Sequence, residues 1–497
     1  MRKRTSILLI SACALAFYGH VAFAGNESDS HDDNRYVRTP NYALAERFSQ
    51  NKVGRMVFTN ATKPTWFRDG SRFMYQWKTS EGTRYYIANM PNGSVEEVFD
   101  MDKLAMQITE IMRDPFDARH IPFKDLKIDP KDDQFLLFDI TSSRERQDTT
   151  SEDKKEKIVY HFRYGISDKT LTYDTNEKKE KYPSWANVSP DGLTGVYMKG
   201  SNLYYMDTLN MRKAAANPKD STLIEHPITS DGFREFSYGA NNYTGNTEQD
   251  TTKRVFPQEV VWSPDSKHLA AMRWDMRPVH ELWVINSLSK PRPTLESYKY
   301  QMPGEAGPKG YMYVFETSGW SFHKVRCQAF KDQDLAFQYA PETVENSFRE
   351  YANTTWLGDE KGFYITRMSR DLKRMDICRI DIGSDSTKTI ISERMNTYVE
   401  SRSLRLIDEG RKLIHWSERN GWANLYLYNA DGDLLRNLTP GAYHVNDVVC
   451  LGAKEDYLLF SACGKEKGEN PYQSHIYRVS MDSGEPKLLD MPDMDVH

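Results

Sequence analysis

The sequence predicts an all-β fold, an irregular β-propeller of roughly eight blades with a short N-terminal helical lead-in. Three observations carry that prediction. An apolar or tryptophan position followed by a polar turn and an alternating strand recurs along the chain. The turns are built from Asp-Gly and Ser-Pro-Asp sequences, which suit tight strand reversals. Helical periodicity is confined to about Tyr42–Asn51 and Met101–Arg113.

Each repeat can be followed in order. Pro64-Thr65-Trp66 leads into Arg68-Asp69-Gly70-Ser71, after which Phe73, Tyr75 and Trp77 alternate with other side chains. Trp185 precedes Ser189-Pro190-Asp191-Gly192, followed by the strand-like Val196-Tyr197-Met198 and Leu203-Tyr204-Tyr205-Met206. Trp262-Ser263-Pro264-Asp265-Ser266 precedes Leu269-Ala270-Ala271-Met272, and Glu281 to Ile285 follows. Trp356 leads into Gly358 to Gly362 and Phe363-Tyr364-Ile365. Asp408-Glu409-Gly410 and Lys454-Glu455-Asp456 open two further strand pairs. A small sheet of this kind cannot bury both faces alone, and radial stacking gives each sheet a neighbour and hides most edges. Two polar stretches, Thr141–Lys157 and Asn241–Lys253, read as solvent-facing loops because they hold almost no apolar residues.

Composition agrees with a large folded chain. The 497 residues are 39% hydrophobic and 12% aromatic, enough for a substantial core. A formal charge of −5 points to neither nucleic acid nor an anionic membrane surface as a partner.

The N-terminus reads as an export signal. Met1-Arg2-Lys3-Arg4 is basic, Ser6–Phe17 is apolar but too short to span a bilayer, and Ala22-Phe23-Ala24 offers a signal-peptidase cut before Gly25. A second reading makes Ile10-Ser11-Ala12-Cys13 a lipobox, with Cys13 lipidated. Both export the protein, to the periplasm, the medium or a membrane anchor. Of the later cysteines, Cys450 and Cys463 flank a hairpin-like stretch and could pair or remain free thiols, while Cys327 and Cys378 are dispersed.

Catalytic and cofactor signatures are weak. Glu235-Phe236-Ser237-Tyr238-Gly239 ends like a hydrolase nucleophile elbow, but Glu235 stands where glycine is needed, so Ser237 reads as structural. His280-Glu281 begins like a metalloprotease helix, yet Val284 replaces the second histidine in a strand context. No zinc spacing, phosphate-binding loop or dinucleotide fingerprint is present, so no metal or cofactor is expected.

Several segments, taken in order, resemble the dipeptidyl peptidase IV N-terminal region of the prolyl-oligopeptidase-type serine peptidases. They are Asn41–Phe48 with Pro64–Gly70, Ile228-Thr229-Ser230-Asp231-Gly232, Trp262–Lys267, and Tyr298–Glu305. The most specific is Trp416-Ser417-Glu418-Arg419-Asn420-Gly421-Trp422-Ala423-Asn424-Leu425-Tyr426-Leu427-Tyr428. Together they cover about Asn41 to Leu489.

The resemblance implies a propeller that caps a C-terminal α/β-hydrolase domain and gates access to it, with peptides as substrates. Together with the export signal it divides the chain into a signal peptide at 1–24, a linker at 25–40, the propeller at 41–490 and a truncated junction at 491–497. The nucleophile, acid and base would then lie beyond His497, and this chain alone should be inactive. A homodimer is a further expectation. The family holds the substrate's free amine with an adjacent glutamate pair. No adjacent pair occurs here, which leaves Glu235, Glu248 and Asp250 as anchoring candidates. For the family's carbonyl-binding arginine, Arg163 is one alignment, and Arg144 and Arg146 are others. The alternative function is a non-catalytic, stand-alone propeller that binds peptides or surface partners.

Overall fold

The computed structural model describes residues 41–58, 63–67, 71–89, 93–129, 132–147, 155–174, 182–239, 252–340, 355–452 and 454–490. The chain divides into two compact units, residues 1–62 with 77–81 and residues 63–76 with 82–497. The described part of the first holds two short helices, α1 (Tyr42–Arg47) and α2 (Gln50–Met56). The Asn41 side chain caps α1 by accepting from the Leu44 N–H at 2.9 Å. Glu46 and Lys52 pair across the two helices at 3.0 Å.

The second unit is a succession of antiparallel sheets, as an irregular propeller requires. Eight sheets occur among the described residues, seven of them with four or five strands. Blade 1 lies within 65–76 and 82–97, blade 2 runs from Lys124 to Asp174, and blade 3 from Asn187 to Val255. Blade 4 combines Phe236–Tyr238, Val260–Trp262, His268–Asp275, Lys309–Glu316 and Ser321–Val325. Blade 5 lies within 334–394, blade 6 within 405–437 and blade 7 within 444–488. The eighth sheet is a two-stranded ribbon, Glu281–Asn286 with Thr294–Lys299, inserted between strands of blade 4.

Adjacent blades share cores, and that burial holds the stack together. Trp262, Leu269 and Phe315 of blade 4 pack with Val196 and Leu203 of blade 3. The other face of blade 4, through Val261, Met272 and Trp274, packs with Phe363, Ile365 and Ile380 of blade 5. Blade 5 continues into blade 6 through Tyr364 and Ile377 against Leu413 and Tyr426, and blade 6 into blade 7 through Leu425 and Leu427 against Phe460 and Tyr477. Helix α3 (Met101–Met112) joins blades 1 and 2, burying Leu104, Ile108 and Met112 one turn apart. Asp100 caps its first turn, and Arg113 ends it in a left-handed conformation at φ 54°.

The Ser-Pro-Asp turns form for a local reason. Ser189 and Ser263 donate to Asp191 and Asp265 at 2.5 and 2.6 Å. The same hydroxyls accept from the N–H five residues on, Thr194 at 3.0 Å and His268 at 2.9 Å. Ser369 and Asp371 repeat the device in blade 5 (2.6 Å, with Arg374 N–H at 3.0 Å) without a proline. One serine and one aspartate thus satisfy a reversal's backbone groups before any long-range contact forms.

Two readings of the sequence are corrected. Thr141–Lys157 is not a loop throughout: strands Phe135–Gln147 and Lys155–Gly165 run into it and pair as far as Gln147 with Lys155. A ladder needs only backbone hydrogen bonds, and its register sets Glu145 opposite Lys157, so polar composition does not forbid it. A further helix, α4 (Thr208–Ala216), was not anticipated. Asp207 caps it at 2.7 Å, and only Asn210, Met211 and Ala214 are buried, too narrow a stripe to read from composition.

Candidate functional site

The Ile228–Gly232 segment positions the first candidate. Asn202 Oδ1 accepts from the Gly232 N–H at 2.8 Å and from the Thr229 hydroxyl at 3.0 Å, clamping the segment onto blade 3. A Cβ at residue 232 would sit 2.1 Å from the Ser201 carbonyl oxygen, so only glycine allows this close approach. The chain then delivers Asp231, Phe233 and Glu235 to the edge of blade 4, where Phe236 pairs with Asp275 and Ser237 with Trp274.

An ordered set of charges and rings surrounds them. Arg273 is buried, lies 3.5 Å above the Phe236 ring, and donates to Asp231 at 2.7 Å through its side chain and 2.8 Å through its carbonyl. Burial works against the charged form of Asp231, yet Arg273 and the Tyr238 hydroxyl hold its carboxyl below the usual range. Arg277 binds Asp275 through two nitrogens at 2.8 and 2.7 Å, which holds that carboxyl low as well.

Glu235 reaches Lys299 of the ribbon at 3.2 Å, and its side chain is 44% exposed. It is therefore a single carboxylate already facing an ammonium. Arg163 lies elsewhere, in blade 2, stacked 3.3 Å over Phe135 and donating to Asp129 at 2.9 Å. Its second nitrogen is 3.8 Å from Asp132. Glu235 and Arg163 therefore each already face a counter-charge. Arg144 is exposed in the first of the two extended strands of blade 2, and Arg146 lies in that strand too. Glu248 and Asp250 fall outside the described residues.

The remaining candidates resolve as structure. Ser237 is buried in a strand, with Met198 Sδ and a neighbouring carbonyl as hydroxyl contacts, as its place in an incomplete elbow predicts. Glu281 begins a strand, so His280-Glu281 is no helical metal motif. All four described cysteines are free thiols. The register places Cys450 opposite Leu459 and Cys463 opposite His444, and burial pushes the Cys327 thiol up to about 12. Among the described residues no cluster of His, Cys, Asp and Glu has the arrangement of a metal site.

The Trp416–Tyr428 segment forms a hub that the sequence did not reveal. Arg419 donates to Glu393 of blade 5, to the Tyr428 hydroxyl and to Ser417, the last at 3.1 Å. His415 Nε2 lies 3.0 Å from the same Glu393, and both are buried. Burial alone would raise the Glu393 carboxyl, but His415 and Arg419 outweigh it and hold it low. The indole N–H of Trp416 donates to the Val445 carbonyl of blade 7 at 2.8 Å. These residues therefore join three blades. A separate concavity of about 540 Å³ is lined by Asp359 and Arg379 of blade 5, Glu409 of blade 6 and Glu455 of blade 7.

The described residues define a propeller scaffold in which Asp231, Glu235, Arg163 and Glu393 each face a counter-charge and which contains no assembled nucleophile–base pair. The family described as the dipeptidyl peptidase IV (DPP IV) N-terminal region matches residues 149–496, and the chain belongs to it.

A probable dipeptidyl-aminopeptidase B of Neosartorya fischeri is 24% identical over 332 residues, 61% of this chain and 32% of that protein. A probable dipeptidyl peptidase 4 of Aspergillus clavatus is 21% identical over 311 residues, 60% of this chain and 36% of that protein. The chain thus spans about a third of the length of these curated relatives. Among solved structures, Porphyromonas gingivalis dipeptidyl peptidase 4 is similar at 17% identity and a TM-score of 0.47, over 87% of this chain and 53% of that one. A putative dipeptidyl aminopeptidase IV from Bacteroides ovatus is similar at 14% identity and 0.49, over 86% and 53%.

Proposed function

We propose that this chain is the gating and substrate-holding propeller of an exported serine peptidase that removes dipeptides, and that an α/β-hydrolase domain supplies its nucleophile, acid and base. The match to the DPP IV N-terminal region over 149–496 carries the reading. The absence of a histidine partner for Ser237 among the described residues supports placing the chemistry elsewhere.

For the substrate amine, Glu235 is the described candidate. An incoming ammonium would replace Lys299 as its partner, at little net electrostatic gain, so a second carboxylate from Glu248 or Asp250 is needed for strong anchoring. Arg163, 40% exposed, remains the candidate for a substrate carbonyl. Sequencing the transcript past the His497 codon tests the whole reading, followed by assay on chromogenic Xaa-Pro substrates. Residues 25–497 alone should give no turnover, and an in-frame extension bearing a Gly-x-Ser-x-Gly elbow should restore it. Turnover by 25–497 alone would overturn the proposal. Glu235→Gln and Glu248→Gln should each raise KM in the extended protein.

The ribbon supports a homodimer as part of this reading. Its two strands pair only with each other among the described residues, and Trp283, Ile285, Leu288 and Leu295 are 71%, 69%, 88% and 63% exposed. A second copy of the chain covering this ribbon would remove that apolar surface from water. Light scattering on the Ile285→Asp variant should report a monomer where the parent is dimeric.

A further inference from the structure

We propose that blade 5 carries an oxyanion-binding site centred on Arg374. Phe330 sits between blades 4 and 5, and three guanidiniums gather around its ring: Arg374 at 4.9 Å, Arg394 at 5.3 Å and Arg367 at 5.8 Å from the centroid. Two of the three are committed. Arg367 donates to buried Asp376 at 2.8 Å, to Thr389 at 3.0 Å, to Thr387 at 3.4 Å and to the Cys327 carbonyl at 3.3 Å. Arg394 donates to Asp376 at 2.7 Å and to the carbonyls of Met375 and Glu393 at 2.9 and 2.7 Å.

Arg374 is different. It is exposed, and among the described residues its guanidinium makes neither a hydrogen bond nor an ion pair. The register sets it directly opposite Arg394, an arrangement that is destabilising for like charges. Asp371 stands close enough for Arg374 to help lower its carboxyl, but after the Ser369 hydroxyl and Lys373 N–H that already bind it. One buried carboxylate thus serves two arginines, and the third projects its donor fork outward beside an aromatic face. A planar or tetrahedral oxyanion would accept from that fork and relieve the repulsion. Its source is either a free phosphate or sulfate, or the carboxylate of an acidic peptide.

The full chain is titrated with sodium phosphate and, separately, with tetraglutamate, at ionic strength held constant with chloride, and read by calorimetry and by melting temperature. Saturable binding of phosphate identifies a free-anion site, and saturable binding of tetraglutamate identifies a peptide site. Arg374→Gln should weaken the response about tenfold, whereas Arg374→Lys should keep part of it. Without added anion, Arg374→Gln should melt above the parent, because the repulsion is gone; an arginine that merely stabilises the blade would do the opposite. Equal responses in parent and Arg374→Gln, an unsaturable rise common to both, or a lower anion-free melting temperature of Arg374→Gln each overturns the proposal.

Discussion

Replacing Arg419 by Met removes a cation that answers the buried Glu393 carboxylate. Glu393 is 5% exposed and Arg419 28% exposed, and Arg419 is the cation that reaches Glu393 from the neighbouring blade. Breaking a fully buried pair costs about 3–5 kcal/mol because one charge is left without compensation. Two features reduce the figure here: Arg419 keeps some access to water, and His415 remains 3.0 Å from the carboxylate. The expected loss is therefore about 2–3 kcal/mol. Methionine keeps much of the side-chain volume beside Tyr426, so little of the loss should come from packing.

Urea unfolding followed by tryptophan fluorescence reads the change as a shift in midpoint at unchanged slope. A cycle with Glu393→Gln separates the pair from its surroundings, and the double variant should recover about 1–2 kcal/mol of coupling. The pH dependence supplies an independent check. The Glu393 carboxyl is held low in the fold, so its stabilisation is present above its unfolded value and is lost as pH falls through the folded value. Without Arg419 the folded value rises, and the loss on acidification should begin at higher pH. Additive single variants, or a midpoint shift below about 0.5 kcal/mol, would refute the hub as a source of stability.

Other consequences can be measured directly. Gly232→Ala should destabilise the chain by about 2 kcal/mol or more, seen as a lower urea midpoint, because its Cβ would meet the Ser201 carbonyl at 2.1 Å. His475 is buried between Asp490 at 2.9 Å and Glu469 at 2.7 Å; burial opposes its protonation, yet the two carboxylates outweigh it and raise its value. Its contribution should be complete below the unfolded value near 6.5 and fall away as pH rises through the raised folded value, and His475→Gln should flatten the melting-temperature profile over that window. Trp262→Ala should cost about 3–5 kcal/mol in the same urea assay, since the side chain is fully buried between blades 3 and 4 and its N–H donates to the Asn187 carbonyl at 3.2 Å.

The blades were legible because their determinants are local. The Ser189–Asp191 and Ser263–Asp265 turns close with hydrogen bonds that span two to five residues, and period-two apolar side chains settle which strand face is buried. The capped helix Met101–Met112 was equally plain, since its buried residues recur every turn. The polar arm of blade 2 and the weakly amphipathic Thr208–Ala216 were not, because a backbone ladder and a narrow buried stripe leave little trace in composition.

Glu235, Arg163, Arg419 and Arg374 mark the other side of the division. The sequence by itself determined that this chain is a succession of β-blades and that it carries the segments of its family in order. Only the tertiary structure decided which charges answer one another. Lys299 meets Glu235, Asp129 meets Arg163 and Glu393 meets Arg419 across stretches of chain whose separation carries no periodicity. Arg374 is left over for the same reason: Coulomb partners are chosen by distance after the sheets have stacked, and stacking is a collective result of burial rather than a property of any one segment.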